Sequence, residues 1–355
     1  MKDFLGQTLR QCFSGLGFSS EREEEGAGLY ADMCSSSNSV LLFAPPASVS
    51  LAIGKCITPH LKSAYTLGLP NSRSAGFLFS SLNMDDSDDA DNPDIMRTNL
   101  FAREVVAPTA LPVYASDSVD HTTPVPHPTS RTNYFNSLMY GRLFEDFRLE
   151  ALVAQQLGKQ NLLVISGISA WDSTAHSHLE AQYIHKTQGY CADLTYSSTD
   201  NVFGTSCLFR VPYTNWSAGG EVIYTAAEKS GGLSLGAKWV KVHEKGVASI
   251  LTFLCNPMMG YMNTTYTSTI RPNWVMSTSY DFNTYSYNSD LAVGVAYSPL
   301  EAENRLLKCR FSMTKGLALL LEGQFKRAIV GLGVTTNLGL GSSIRQSIGV
   351  EIQFI

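Results

Sequence analysis

Over much of its length the chain alternates apolar and polar residues with a period of two, the pattern of strands that have one apolar face and one wet face. Leu291, Val293, Val295 and Tyr297 oppose Asp290, Ala292, Gly294 and Ala296. Leu317, Leu319, Leu321 and Phe325 oppose Glu322, Gln324 and Lys326 in the same way. From Ser137 onward, segments of about ten residues are divided by Gly, Asn, Asp, Ser or Pro turns. The spacing predicts strands near 137–146, 148–157, 160–169, 177–186, 189–197, 201–210, 216–225, 232–242, 246–255, 259–268, 273–282, 289–297, 306–315, 317–326, 328–338 and 346–354. Three earlier ones are expected near Val49–Ile57, Leu61–Leu69 and Gly76–Ser81. The total, roughly 19 or 20, lies within the range of membrane barrels. So many short strands expose edges that closure removes. The expected fold is all-β, a transmembrane antiparallel-type β-barrel of about 19 strands.

The rest of the chain breaks this pattern. Leu5, Leu9, Cys12, Phe13 and Leu16 recur at helical spacing, so residues 2–16 should form a short amphipathic helix on the surface or at a barrel mouth. Residues 19–39, rich in Ser and Glu, read as a linker. The expected division is therefore an N-terminal helix and linker over 1–48 and a barrel over 49–355, interrupted by an insert at 82–136. That insert holds Asp85, Asp86, Asp88, Asp89, Asp91 and Asp94, then a Pro/Thr/His stretch at 121–130, and reads as a long loop.

Composition supports a membrane barrel. Only 16% of residues are charged, against about 25% in a typical soluble protein. Yet no apolar run approaches the roughly 18 residues of a membrane-spanning helix. The net charge of −5 argues against a nucleic-acid partner. The seven cysteines include no Cys-x-x-Cys pair and read as unpaired thiols, neither a disulfide frame nor a metal site. The first residues match neither a secretory signal nor an Arg-rich, acid-poor presequence, since Glu21, Glu23, Glu24 and Glu25 follow closely. An internal or C-terminal address is expected.

Isolated chemical motifs are weaker than the pattern around them. Gly232-Leu233-Ser234-Leu235-Gly236 matches a nucleophile elbow, but Leu233, Leu235, Ala237 and Trp239 continue the alternation of a plain strand. His176 and His178 could share a metal; Glu180 and Gln182 lie on the same face, which reads as a polar lumen. Asp120-His121 has no recognisable nucleophile nearby. The sequons at Asn215 and Asn263 have no role outside the secretory pathway. No catalytic, cofactor-binding or metal residue is assigned, and no enzyme activity is expected. The face shared by Trp274, Met276, Thr278, Tyr280 and Phe282 should meet lipid or a membrane partner, and Val275, Ser277, Ser279 and Asp281 take the other.

The last segment, 347–355, places Ile348, Val350, Ile352 and Phe354 on one face. Its order of polar, glycine and two late apolar positions, filled by Ser347, Gly349, Ile352 and Phe354, resembles the C-terminal sorting signal of mitochondrial outer-membrane β-barrels. Six further segments, in this order, resemble the fungal mitochondrial distribution and morphology protein ten family: ITPHLKSAYTLG (57–68), SLMYGRLFEDFRLEAL (137–152), GGEVIYTAAEKSGGLSLGAKW (219–239), CNPMMG (255–260), SYDFNTYSYNSDL (279–291) and LLEGQFK (320–326). The resemblance implies a 19-stranded barrel of the mitochondrial outer membrane, in the class of the mitochondrial porins. It implies two tasks. One is to anchor the ER–mitochondria encounter structure, a lipid-transferring tether. The other is to act with the core barrel and peripheral subunits of the sorting and assembly machinery, which inserts β-barrels and completes the outer-membrane translocase. The implied partners are the subunits of those two complexes and outer-membrane lipids. Carried over by position, Tyr280 and Phe282 fall on the sorting-machinery surface, and Phe77 and Phe79 on the tether side. The chain departs from the family in its acidic 82–94, its short loop around Ser298–Arg305, and the phenylalanines at 77 and 79 where tyrosines are usual. A porin-type solute channel is the alternative, because a fold does not settle a function.

Overall fold

The computed structural model describes residues 28–58, 60–69, 72–81, 136–158, 160–169, 177–187, 189–242, 248–271, 273–298, 305–325, 328–337 and 345–354. The helix expected over 2–16, the insert apart from its last residue, His176 and the loop after Ser298 lie outside them. Nineteen strands follow in order: β1 (Val49–Thr58), β2 (Leu61–Gly68), β3 (Ser72–Ser80), β4 (Ser137–Phe144), β5 (Leu149–Gln156), β6 (Asn161–Ser169), β7 (His178–Lys186), β8 (Tyr190–Ser197), β9 (Val202–Arg210), β10 (Trp216–Thr225), β11 (Ser230–Val242), β12 (Ala248–Asn256), β13 (Tyr261–Arg271), β14 (Trp274–Asn283), β15 (Ser289–Tyr297), β16 (Arg305–Ser312), β17 (Gly316–Phe325), β18 (Ala328–Asn337) and β19 (Arg345–Phe354). Each pairs with the next in antiparallel fashion, and β19 returns to β1, so the sheet closes as the alternation predicts. An up-and-down barrel with an odd number of strands must begin and end in the same direction. The seam is accordingly parallel, with Val49 to Ile53 opposite Val350 to Phe354.

Register sorts the side chains between lipid and lumen. On β14, Val275, Ser277 and Ser279 are buried inward while Trp274, Met276 and Tyr280 stand exposed outside. Aromatic pairs gather at the two ends of the outer wall. At the rim where β3 runs into residues 81–136, here the insert rim, Tyr190 meets Phe209, Trp216 meets Trp239, and Trp274 meets Tyr297, with ring centroids 6.0, 6.4 and 4.6 Å apart. At the opposite, turn rim, Tyr196 meets Phe203 at 5.0 Å, and Tyr280 meets Phe282. Two such belts are what amphipathic rings form at the two interfaces of a membrane. No helix among the described residues is long and apolar enough to cross one.

Two elements differ from the expectation. Strand β3 starts at Ser72, ahead of the expected Gly76, and its polar start is held through the inward Ser74. There Ser74 meets the Thr66 hydroxyl and accepts from Arg142 Nε at 2.9 Å, while Arg142 Nη2 donates to Thr66 Oγ1 at 3.1 Å. The expected linker at 19–39 carries a helix at its end, α1 (Ser35–Leu41). Its serines and asparagine are poor helix formers and no side chain caps its start. Tertiary contact holds it: Val40 is buried on the inner wall beside Val275, Ala296, Leu306 and Ile329, and the buried Leu41 lies over Gly294.

Candidate functional site: the strips of the outer wall and the strap inside

The strap comprises residues 28–48. Leu29 packs on an apolar patch of the inner wall that includes Leu78, Leu138, Leu162 and Ile184, all buried. Tyr30 Oη lies 2.8 Å from Ser234 Oγ. Met33 crosses Gly236, where an added Cβ would come within 2.8 Å of its sulfur. Lys308 Nζ donates to the Ser39 carbonyl at 2.8 Å and Arg310 Nη1 to that of Leu41 at 2.8 Å, so two inward cations hold the end of α1. Cations at a helix C-terminus also suit its dipole. Phe43 lies under the Arg310 guanidinium and beside Ala318 and Leu320. Pro45 and Pro46 then cross Gly333 and Gly349. Burial pushes the Cys34 thiol above its ordinary pKa. The Gly-x-Ser-x-Gly stretch is thus strand, and its serine is a contact of the strap. His178 faces inward with Glu180, its Nε2 4.0 Å from Glu180 Oε2.

The first outer strip is on β14 at the turn rim. Tyr280 is 47% exposed, and its ring stacks on that of Phe282 with centroids 6.5 Å apart and planes 6° from parallel. The adjoining turns, 257–260 and 284–288, are laced together. Thr284 N donates to the Gly260 carbonyl at 2.7 Å, Tyr285 Oη to that of Pro257 at 3.1 Å, and Asn283 Nδ2 to that of Met259 at 3.3 Å. Gly260 has φ +62°, and a Cβ there would strike the Tyr285 ring, which accounts for glycine closing the Asn-Pro-Met-Met-Gly motif. Met258, Met259, Tyr285 and Tyr287 are left exposed on a fixed platform. On the lumen side, Tyr261 Oη donates to Asp281 Oδ1 at 2.6 Å, and Asn263 also donates to Asp281. The motif residues were legible in the sequence; the lacing between two separate turns was not.

The second strip is on β3, toward the insert rim. Phe77 and Phe79 are exposed outside while Leu78 and Ser80 are buried inside. The Phe77 ring lies across Gly141, its partner on β4, where a Cβ would come within 2.6 Å of it. The two strips face different ways and sit toward opposite rims, with β15 to β19, β1 and β2 between them on the shorter side. The four residues of the end strand divide by face. Ser347 and Gly349 face inward to the strap, Ser347 Oγ donating to the Ala47 carbonyl at 3.2 Å, and Ile352 and Phe354 face outward at the seam.

A family model described as mitochondrial distribution and morphology protein 10 matches residues 16–300. Proteins of that name from Postia placenta, Phaeosphaeria nodorum and Yarrowia lipolytica are 23%, 25% and 27% identical to the chain. The matches cover 100%, 92% and 92% of the chain and 99%, 94% and 93% of those relatives. A triple-mutant porin of Rhodopseudomonas blastica superposes at 9% identity with a TM-score of 0.41, over 61% of the chain and 90% of the porin. The chain belongs to the mitochondrial distribution and morphology protein 10 family.

Proposed function

We propose that the chain is a non-enzymatic barrel of the mitochondrial outer membrane at ER–mitochondria contact sites. There it anchors the encounter structure, serving tethering, phospholipid exchange and mitochondrial morphology, and acts with the sorting and assembly machinery. Its family supports a part in mitochondrial distribution and morphology. The observation that favours an adaptor is the division between the two faces of the wall. A water-filled channel needs a polar inner face, yet here Leu78, Leu138 and Leu162 point inward and are buried, and a strap lies along the wall from β11 to β19. Exposed rings stand outside, where association in lipid depends on close packing because no hydrophobic gain drives it.

The test is affinity isolation in mild detergent of two double variants. Aromatic anchors often carry about 2 kcal/mol or more of an interface, and about 1.4 kcal/mol is tenfold in affinity. Tyr280→Ala with Phe282→Ala should lose the sorting machinery and keep the tether; Phe77→Ala with Phe79→Ala should do the reverse. If both variants assemble normally yet lose both partners equally, or neither, the carried-over surfaces are wrong and the rings are a membrane belt only. Closure of nineteen strands favours a second reading, a porin-type channel, and planar-bilayer conductance of the purified chain separates the two.

A further inference from the structure

The outer wall is not uniformly flat. Across β7 to β10, register sets two rows of outward residues side by side: Ala181, Tyr196, Phe203 and Tyr224 nearer the turn rim, and Tyr183, Leu194, Thr205 and Val222 nearer mid-wall. Each row has one small residue, Ala181 or Thr205, among large ones. The result is a furrow of about 440 Å³, lined mostly by apolar groups, with Tyr183, Tyr196, Phe203 and Tyr224 among its walls. A void against hydrocarbon forfeits dispersion contacts, so a flexible chain that follows the furrow is favoured over a rigid partner.

The turn rim above it is polar and fixed. Ala226 N donates to the Asn201 carbonyl at 3.1 Å and Ala227 N to that of Asp200 at 3.2 Å, which joins the turns 198–201 and 226–229. Tyr196 Oη donates to Asn201 Oδ1 at 3.1 Å. The exposed residues of these turns include Asp200, Glu228 and Lys229, so carboxylates and an ammonium group stand at one end of the furrow. That combination complements a headgroup carrying both a phosphate and an amine.

We propose that this furrow holds one acyl chain of a zwitterionic phospholipid, whose headgroup rests on the joined turns 198–201 and 226–229. The barrel would then carry an ordered lipid on a sector of its wall clear of both β3 and β14. The inference needs only the membrane placement of the barrel, so it stands or falls apart from either partner complex.

The test uses the full chain reconstituted in vesicles of phosphatidylcholine and phosphatidylethanolamine, then exchanged into detergent. Native mass spectrometry counts the phospholipids retained per barrel. Thr205→Trp and Ala181→Phe fill the furrow from the lipid side, and Leu332→Trp on the distant β18 wall is the control. Occupancy should fall about tenfold in the furrow variants, equivalent to about 1.4 kcal/mol, and hold in the control. Equal retention in furrow and control variants overturns the proposal. A photo-crosslinking residue at position 205, in otherwise natural chain in mitochondria, gives an answer independent of those variants' folding. Capture of phospholipid supports the proposal, and capture of a polypeptide overturns it.

Discussion

Three inward glycines of the last two strands separate what the strap requires from what a sorting signal requires. A Cβ on Gly333 would lie 2.5 Å from Pro46 Cδ and 2.7 Å from Pro45 Cβ; one on Gly349 would meet the Pro46 carbonyl and lie 2.6 Å from Ser48 N. One on Gly331 meets nothing closer than 3.8 Å. Carbon contacts settle near 3.5–4.0 Å, so Gly333→Ala and Gly349→Ala must each lift the strap by about an ångström. The strap resists, because Val350 N donates to the Ser48 carbonyl at 3.1 Å and Phe43 is wedged beside Ala318 and Leu320. Overpacking of this kind costs about 1–3 kcal/mol, offset by about 0.4–1 kcal/mol from the stiffer unfolded chain. A net loss of about 0.5–2 kcal/mol is expected for both variants, and little or none for Gly331→Ala. Urea unfolding of refolded barrels, followed by tryptophan fluorescence, measures this. Import into isolated mitochondria measures assembly into a protease-resistant form. Only Gly349 occupies a signal slot, so Gly349→Ala should assemble more slowly than Gly333→Ala at matched stability. If Gly333→Ala is as stable as Gly331→Ala, the strap does not lie on this wall. If the two clashing variants assemble alike, the signal does not read Gly349.

Phe354→Lys places a charge at the insert-rim end of the lipid face, where it costs about 0–1 kcal/mol in place of the 2–4 kcal/mol of mid-membrane. The refolded barrel should therefore tolerate it while assembly in mitochondria fails, and normal assembly would dismiss the signal reading of that position. Lys308→Met with Arg310→Met removes the donors to the Ser39 and Leu41 carbonyls; each buried acceptor left unpaired costs about 1–3 kcal/mol. Single-channel conductance in planar bilayers should rise above that of the natural chain, and an unchanged value would mean that these bonds do not hold the strap. Cys34 is buried and its thiol pKa is raised, while Cys56 is exposed. A thiolate-directed maleimide at neutral pH should label Cys56 and spare Cys34 until the protein unfolds, and prompt labelling of Cys34 would show a strap that leaves the lumen.

The barrel was legible because its constraint is local and repeated: each strand must offer lipid one apolar face, so β15 and β17 declare themselves within nine or ten residues. The strap was hidden because its constraint is distant. Nothing within Cys34–Leu42 predicts a helix; the wall that stabilises it lies more than 200 residues away. A trace existed in the inward glycines at 236, 294, 333 and 349, since glycine inside a strand marks close approach of another backbone, but no local pattern named what approached. The outward direction of Tyr280 followed from alternation, whereas Phe77 was placed only by the family resemblance. Their placement toward opposite rims needed the strand order, and the stacking of Tyr280 on Phe282 and of Phe77 over Gly141 needed the side chains.

That placement bears on how one barrel could serve two complexes. From β3 to β14 the shorter way round the wall crosses eight interstrand steps, each about 4.8 Å, or roughly 38 Å of circumference before strand tilt lengthens it. A standard interface covers about 800 Å² on each partner, a patch roughly 28 Å across. Two such footprints centred on the strips fit on the wall without overlap, and their offset toward opposite rims separates them further. The furrow on β7 to β10 lies on the longer side between them. Competition between the two complexes for this chain, if observed, then could not arise from a shared patch. It would have to come from bulk beyond the membrane or from a change in the barrel itself. The strap and the laced turns leave the barrel little room for such a change, since both fix the wall by backbone contacts.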